Sequence, residues 1–357
     1  MIDIREHGGN FGGGKYRKGT VLGGFTQAII ESGTILAKTI DAGVYGAYNP
    51  SINLQKNFIF FVGGNAQNIQ LTRFDLTTGG QAWGPTMNGV EGSIVDANGN
   101  SYVLGQDTIN KMNDYITAVT WSKTAAKVGY NASRSRGGSM KKDVKNSTST
   151  HLYFCIHWSP YNVFKIAISD GTVTSITPVG SASRVSAFEV HEDLNAIFAI
   201  NGSKVMRLDL NWNIIWEKDT PVSGISPDDV YSNIIVDKKR NCILALWGST
   251  SGTIKKHLVK LDYNGNIIQG PVDILAAPYS LQGAVNTVQL FEVIEDYIFF
   301  GYANQLYTLN AATLERTAFQ YNFTESTYQA FKMVGNDTIH IGSTSNYRKY
   351  QHKITLA

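Results

Sequence analysis

The chain has 357 residues, of which 43 % are hydrophobic and 17 % charged, with a formal net charge of +3. Soluble proteins carry roughly 25 % charged residues, and a balance this close to neutral argues against a nucleic-acid binder, which gathers Lys and Arg on one face. With 35 Gly and 18 Tyr, and few stretches placing apolar residues at i, i+3, i+4 and i+7, the composition suits short strands and tight turns rather than amphipathic helices.

The opening Met1-Ile2-Asp3-Ile4-Arg5-Glu6-His7 lacks a basic region followed by an apolar one, and no later run approaches 18 apolar residues. These features predict a chain made in the cytoplasm without a signal peptide, and no membrane insertion. Residues 1–26 hold a Gly-rich, basic and partly aromatic stretch from His7 to Gly19. It reads as an extended docking arm, with Phe11 and Tyr16 as anchors and Lys15, Arg17 and Lys18 as charges. Gly12-Gly13-Gly14-Lys15 lacks the remainder of a phosphate loop, so no nucleotide and no other cofactor is expected.

From about residue 34 the sequence repeats one order: an apolar strand A, a polar turn, a strongly apolar strand B, a loop, a strand C carrying Asp or Asn, then a strand D. The B strands start near Asn57, Asn100, His151, Asn195, Asn241, Asp296 and Asp337, spaced 41 to 55 residues apart. That period suits four-stranded sheets arranged radially. The A–B turns, such as Asp96-Ala97-Asn98-Gly99-Asn100 and Asp237-Lys238-Lys239-Arg240-Asn241, hold residues that tolerate positive φ or bond the nearby backbone.

The repeat predicts an all-β, seven-bladed β-propeller of four-stranded antiparallel blades over residues 27–357, with residues 1–26 outside the ring. After the seventh B strand one further strand, Tyr347 to Leu356, is expected, which leaves the last blade short of an outer strand. The run Gly33–Ile40 is placed to fill that gap and close the ring. Strand A of the third blade is expected within Asn131–Thr150.

The C strands include Arg73-Phe74-Asp75-Leu76, Arg207-Leu208-Asp209-Leu210 and Lys260-Leu261-Asp262-Tyr263. In three repeats a Trp follows the Asp or Asn by seven or eight residues: Trp83, Trp121 and Trp216. This grammar resembles the repeats of quinoprotein-type propellers, and the resemblance implies the fold. WD40 sequence signatures are absent. Separately, Ile2 to Gly9 followed by Phe11 to Lys18 is similar to the starts of tailed-bacteriophage tail-module proteins.

Several groups invite chemistry. Arg134, Arg136, Lys141 and Lys142 form a basic loop suited to a solvated segment or an anion contact. Cys155 and Cys242 sit in apolar runs without CxxC spacing and read as buried thiols. His191-Glu192-Asp193 falls in an A–B turn, while Asp228-Asp229 and Glu295-Asp296 lack the alternating spacing of a calcium loop. No metal is expected at any of them. The B–C loops share one face of a propeller, and Trp158, Tyr161, Trp247, Tyr302 and Tyr347 are candidates there for sugar stacking or protein contact; packing between blades is the other reading of these rings.

No catalytic set emerges. The leading reading is a non-enzymatic structural or binding propeller, a component of a phage virion such as a tail, baseplate, fibre or other appendage. Its arm would dock on other virion proteins in a symmetric assembly, and its loops would face assembly partners or a host-surface glycan or protein. One competitor is a lectin or glycan-cleaving propeller using Glu189 and Glu292 on A strands. Another is an intracellular protein-interaction scaffold.

Overall fold

A computed structural model describes residues 15–18, 27–31, 34–39, 48–62, 69–87, 92–96, 98–104, 108–124, 148, 150–155, 163–177, 180, 185–201, 203–223, 232–249, 255–276, 290–302, 305–322, 328–334, 338–343, 346–351 and 354–356. Their regular structure is strand throughout, apart from one 3-10 turn at Glu192–Leu194.

Three strands open the chain: β1 (Lys15–Lys18), β2 (Gln27–Glu31) and β3 (Thr34–Thr39). The first sheet is β4 (Tyr48–Asn53), β5 (Phe58–Val62), β6 (Ile69–Asp75) and β7 (Gln81–Met87). The second is β8 (Gly92–Val95), β9 (Ser101–Leu104), β10 (Thr108–Met112) and β11 (Val119–Thr124). The third has β12 (His151–Cys155), β13 (Val163–Ala167) and β14 (Val173–Ile176), its expected A strand falling mostly outside the described residues.

The fourth sheet is β15 (Ala187–His191), β16 (Ala196–Ile200), β17 (Lys204–Asp209) and β18 (Ile214–Asp219). The fifth is β19 (Asn233–Asp237), β20 (Cys242–Ser249), β21 (Lys255–Asp262) and β22 (Ile267–Asp273). The sixth is β23 (Leu290–Ile294), β24 (Tyr297–Tyr302), β25 (Gln305–Asn310) and β26 (Arg316–Asn322). The closing sheet joins β27 (Tyr328–Val334), β28 (Thr338–Ser343) and β29 (Asn346–Gln351) to β3 from the start of the chain. Among the described residues there are thus six four-stranded antiparallel sheets.

The closing strand falls where the sequence places it: β3 pairs with β29 from Asn346↔Thr39 to Tyr350↔Thr34. The final strand differs from expectation. Tyr347 to Leu356 is not continuous but divides into β29 and β30 (Ile354–Leu356). The reason is loss of a neighbour: Gln351 pairs with Thr338, the first residue of β28, so the chain beyond has only the N-terminal side to pair with. There β30 takes β2, from Ile29↔Ile354 to Gln27↔Leu356.

Turn chemistry sets the repeat. Asp209 Oδ1 accepts the N–H groups of Asn211 and Asn213 at 2.8 and 2.9 Å, and its Oδ2 accepts the Asn213 side-chain amide at 2.8 Å. Asp262 binds Asn264 and Asn266 in the same way, as Asp96 does Asn98 and Asn100. Each C–D turn also needs a left-handed residue: Gly79, Ile116, Gly171, Trp212, Gly265 and Leu314, with φ between 56 and 78°. The three non-glycine members are buried large apolar side chains.

This alternation follows from how neighbouring sheets pack, since the core lies between sheets. At the second–third and fourth–fifth seams the turn residue is Gly and a Trp covers it. A Cβ on Gly171 would lie 2.9 Å from the Trp121 ring, and one on Gly265 2.8 Å from the Trp216 ring. The Trp216 indole N–H donates to the Tyr263 carbonyl at 3.2 Å. At the other three seams the turn supplies the bulk. Ile116 packs with Phe58, Phe60 and Leu71 of the first sheet, Trp212 lies edge-on to Phe188 beside Tyr153 of the third, and Leu314 packs with Leu258 and Ile274 of the fifth.

A basic residue on strand C, two before the turn Asp in the first and fifth sheets and two before Ala167 in the third, adds a polar tie. The Lys260 ammonium donates to the Ala311 and Ala312 carbonyls at 3.2 Å, Lys165 reaches Asn211 at 3.4 Å, and Arg73 lies over the Tyr115 ring. The innermost strands are neighbours in turn: β4 with β8, β15 with β19, β19 with β23, β23 with β27, and β27 back to β4.

Candidate interaction surfaces

β1, β2 and β30 belong to none of the sheets above and form a sheet of their own. β1 pairs with β2 in unbroken antiparallel register, Lys15↔Glu31, Tyr16↔Ile30, Arg17↔Ile29 and Lys18↔Ala28, and β2 pairs onward with β30. Lys15, Tyr16, Arg17 and Lys18 are built into a three-stranded sheet, while Phe11 lies outside the described residues. Gln27–Glu31, expected within the propeller, is the middle strand of this sheet. The signal is present in retrospect, because Ala28-Ile29-Ile30 is apolar and precedes a Ser-Gly break.

The loop candidates divide. Trp247 is corrected: it lies in β20, has no exposed surface and packs with Phe198, Ile243 and Val259 in the fourth–fifth seam. An apolar B strand of eight residues, where its sisters have four to six, carries the ring inward instead of into a loop. Tyr302 and Tyr347 stand at the end of β24 and near the start of β29, strand positions that flank their loops. Trp158, Tyr161, Arg134, Arg136, Lys141 and Lys142 lie outside the described residues, as do Asp228 and Asp229. The side chain of Cys155 does too; Cys242 is a buried free thiol whose pKa burial raises to about 11.

The acidic candidates have structural partners. Glu189 accepts the Val236 N–H at 2.7 Å, tying the inner strand of the fourth sheet to that of the fifth. Glu292 holds the equivalent register position in β23, opposite Phe299 as Glu189 is opposite Phe198. Asp296 is bound by Lys239 at 3.0 Å and by Arg240, and these cations hold its carboxyl below the ordinary range after the Lys239 hydrogen bond. Asp193 pairs with Lys238 at 3.1 Å.

His191, at the end of β15, is buried with Nδ1 3.8 Å from Asp193 and its ring edge-on to Tyr263. Burial, then Lys238, holds it below the ordinary imidazole pKa. Among the described residues no group of three His, Cys, Asp or Glu is placed to hold a metal ion. None of their helices is long and apolar enough to cross a membrane.

Solved structures share this arrangement. A chain from the "Crystal Structure of Mitotic Checkpoint Complex" superposes with a TM-score of 0.64 at 9 % identity, over 89 % of this chain and 91 % of that one. The Neurospora crassa Pan2 WD40 domain gives a TM-score of 0.58 at 12 % identity, over 86 % and 89 %. This chain has the fold of a β-propeller. The sheets are its blades, strand D of each forming the rim. No protein-family model matches the sequence, and no curated protein sequence matches it. At such identity the likeness is one of fold, which explains why WD40 signatures are missing while the architecture is shared.

The rim carries exposed apolar residues at equivalent places in neighbouring blades: Ile214 and Ile215 of β18, and Ile267 and Ile268 of β22, with Ile215 and Ile268 each 54 % exposed. Most rim strands are irregular. Register shifts interrupt β6–β7, β10–β11, β17–β18, β21–β22, β25–β26 and β29–β3. Such bulges twist an edge away from further pairing.

Proposed function

We propose that this chain is a non-enzymatic, seven-bladed interaction propeller that docks through its N-terminal segment in a multi-subunit assembly. The carrying observation is the β1–β2–β30 sheet, a structure added outside the four-stranded blades and anchored by both ends of the described chain. The count of seven is supported by the three-stranded third sheet, which the preceding residues would complete, and by the packing of β27 against β4. The absence of catalysis is supported by Glu189 being engaged by a backbone N–H, which weighs against its use as a channel acid on glycans.

Within this class the reading as a phage virion component rests on the likeness of residues 2–18 to tail-module starts. The intracellular scaffold is the second reading. It is favoured by the structural neighbours, one of them a chain in a complex and the other a WD40 domain. Removing residues 1–26 tests docking directly. The truncated chain should fail to join its particle or oligomer, measured by sedimentation and electron microscopy, while keeping its β circular dichroism. Normal assembly by the truncated chain would reject docking through this segment, and a particle image would separate virion from scaffold.

A further inference from the structure

We infer that the outer edge of β1 takes an extended, acidic strand of a partner protein by β-strand addition. The inference rests on the docking reading above and names the partner's chemistry. Three observations converge. First, β1 is the terminal strand of its sheet, with β2 on one side and no strand on the other among the described residues. An edge of this kind presents a row of unpaired N–H and C=O groups, the template used in strand addition.

Second, β1–β2 keeps continuous register over all four pairs, whereas six of the rim ladders are interrupted. Of the rim edges only β14, paired with β13 without a shift, is comparably regular among the described residues, and its sequence Val173-Thr174-Ser175-Ile176 is uncharged. Third, three of the four β1 residues are cationic, Lys15, Arg17 and Lys18. Basic residues thus make up most of this edge strand.

Lysine on an edge also guards against self-pairing. The two roles agree, because a basic edge repels a second copy of itself and attracts a strand of opposite charge. Cross-strand ion pairs favour such a partner and set its selectivity more than its total affinity.

The probe is a synthetic nine-residue peptide alternating Glu with Val and Thr, tested on the full chain. It should bind with salt-sensitive affinity and slow amide hydrogen exchange at Lys15–Lys18. A peptide with Lys in place of Glu, or one N-methylated on alternate residues, should bind at least roughly tenfold more weakly. In the variant Lys15→Glu/Arg17→Glu/Lys18→Glu the preference should invert toward the Lys peptide. Unchanged exchange in β2 shows that the variant keeps its sheet.

Binding without protection at residues 15–18, protection at Val173–Ile176 instead, or undiminished acidic-peptide affinity in the charge-reversed variant would each overturn the inference. The outcomes separate from the docking test. Loss of assembly on truncation without peptide protection of β1 leaves docking intact and removes strand addition. Peptide protection with normal assembly of the truncated chain does the reverse.

Discussion

The residue that departs furthest from ordinary preference is Trp212, a buried indole on a left-handed backbone with φ of 71°. Left-handed backbone costs an L-residue roughly 1–2 kcal/mol, which Gly at this turn position would avoid. The ring stays because it fills the third–fourth seam, and truncating a buried Trp costs about 3–5 kcal/mol. Trp212→Gly should therefore destabilise the chain by a net ~1–4 kcal/mol in urea unfolding, despite relieving the backbone.

Acid response is set by individual turns. The Thr78 N–H holds Asp75 below 3.8, while at Asp209 and Asp262 burial pushes upward and is outweighed by Asn donors. A depressed folded pKa means stability that is present above the unfolded value and lost as pH falls through the folded one. His191 loses stability on acidification in a higher window. Burial lowers its pKa below 6.5, so the unfolded chain takes up the proton first as pH drops from about 6.5. His151 shifts in the same sense, through burial and then Lys165. Urea titrations across pH should show two phases of loss, with His191→Gln reducing the upper one and Asp209→Asn/Asp262→Asn reducing the lower one.

At the scale of elements, the seams rather than the individual sheets carry the core. At each of the five seams from the first to the sixth sheet, a strand-D ring or a turn side chain fills the gap. Gly265→Ala meets two obstacles, φ of 78° and the Trp216 ring 2.8 Å from the new Cβ. It should cost about 2–3 kcal/mol. In a Trp216→Ala background only the backbone part, roughly 1 kcal/mol, should remain. A double-mutant cycle on thermal or urea stability measures the difference, and strictly additive effects would show that ring and glycine do not meet. Sequence showed the Trp spacing but not this pairing, because the partner of Trp216 is the turn residue Gly265, 49 residues later in the next blade.

For the whole molecule, closure depends on six residues. β3 completes the last blade on β29, whereas β1 and β2 lie beyond it. Deleting residues 1–33 should leave the unfolding midpoint within about 2–4 °C of the full chain, about 1 kcal/mol or less. Deleting residues 1–39 exposes the β29 edge, and should lower the midpoint further and promote aggregation seen by light scattering. Equal behaviour of the two truncations would mean that β3 does not close the ring.

The B strands, their turns and the closing strand were legible in the sequence because they depend on local rules: apolar runs of four to eight residues, Asn or Gly where φ is positive, and a period that repeats. Phe58–Val62, Ala196–Ile200 and Thr338–Ser343 all fall where the apolar runs place them. Trp247 shows the limit of that reading, since a ring at a strand end looks the same in sequence whether the strand stops before it or runs past it. Only the tertiary structure decided that Trp247 enters a seam, that Glu189 serves a backbone N–H of the next blade, and that β2 and β30 leave the ring to hold β1. Each is a long-range choice, fixed by which strand lies alongside and which edge remains unpaired.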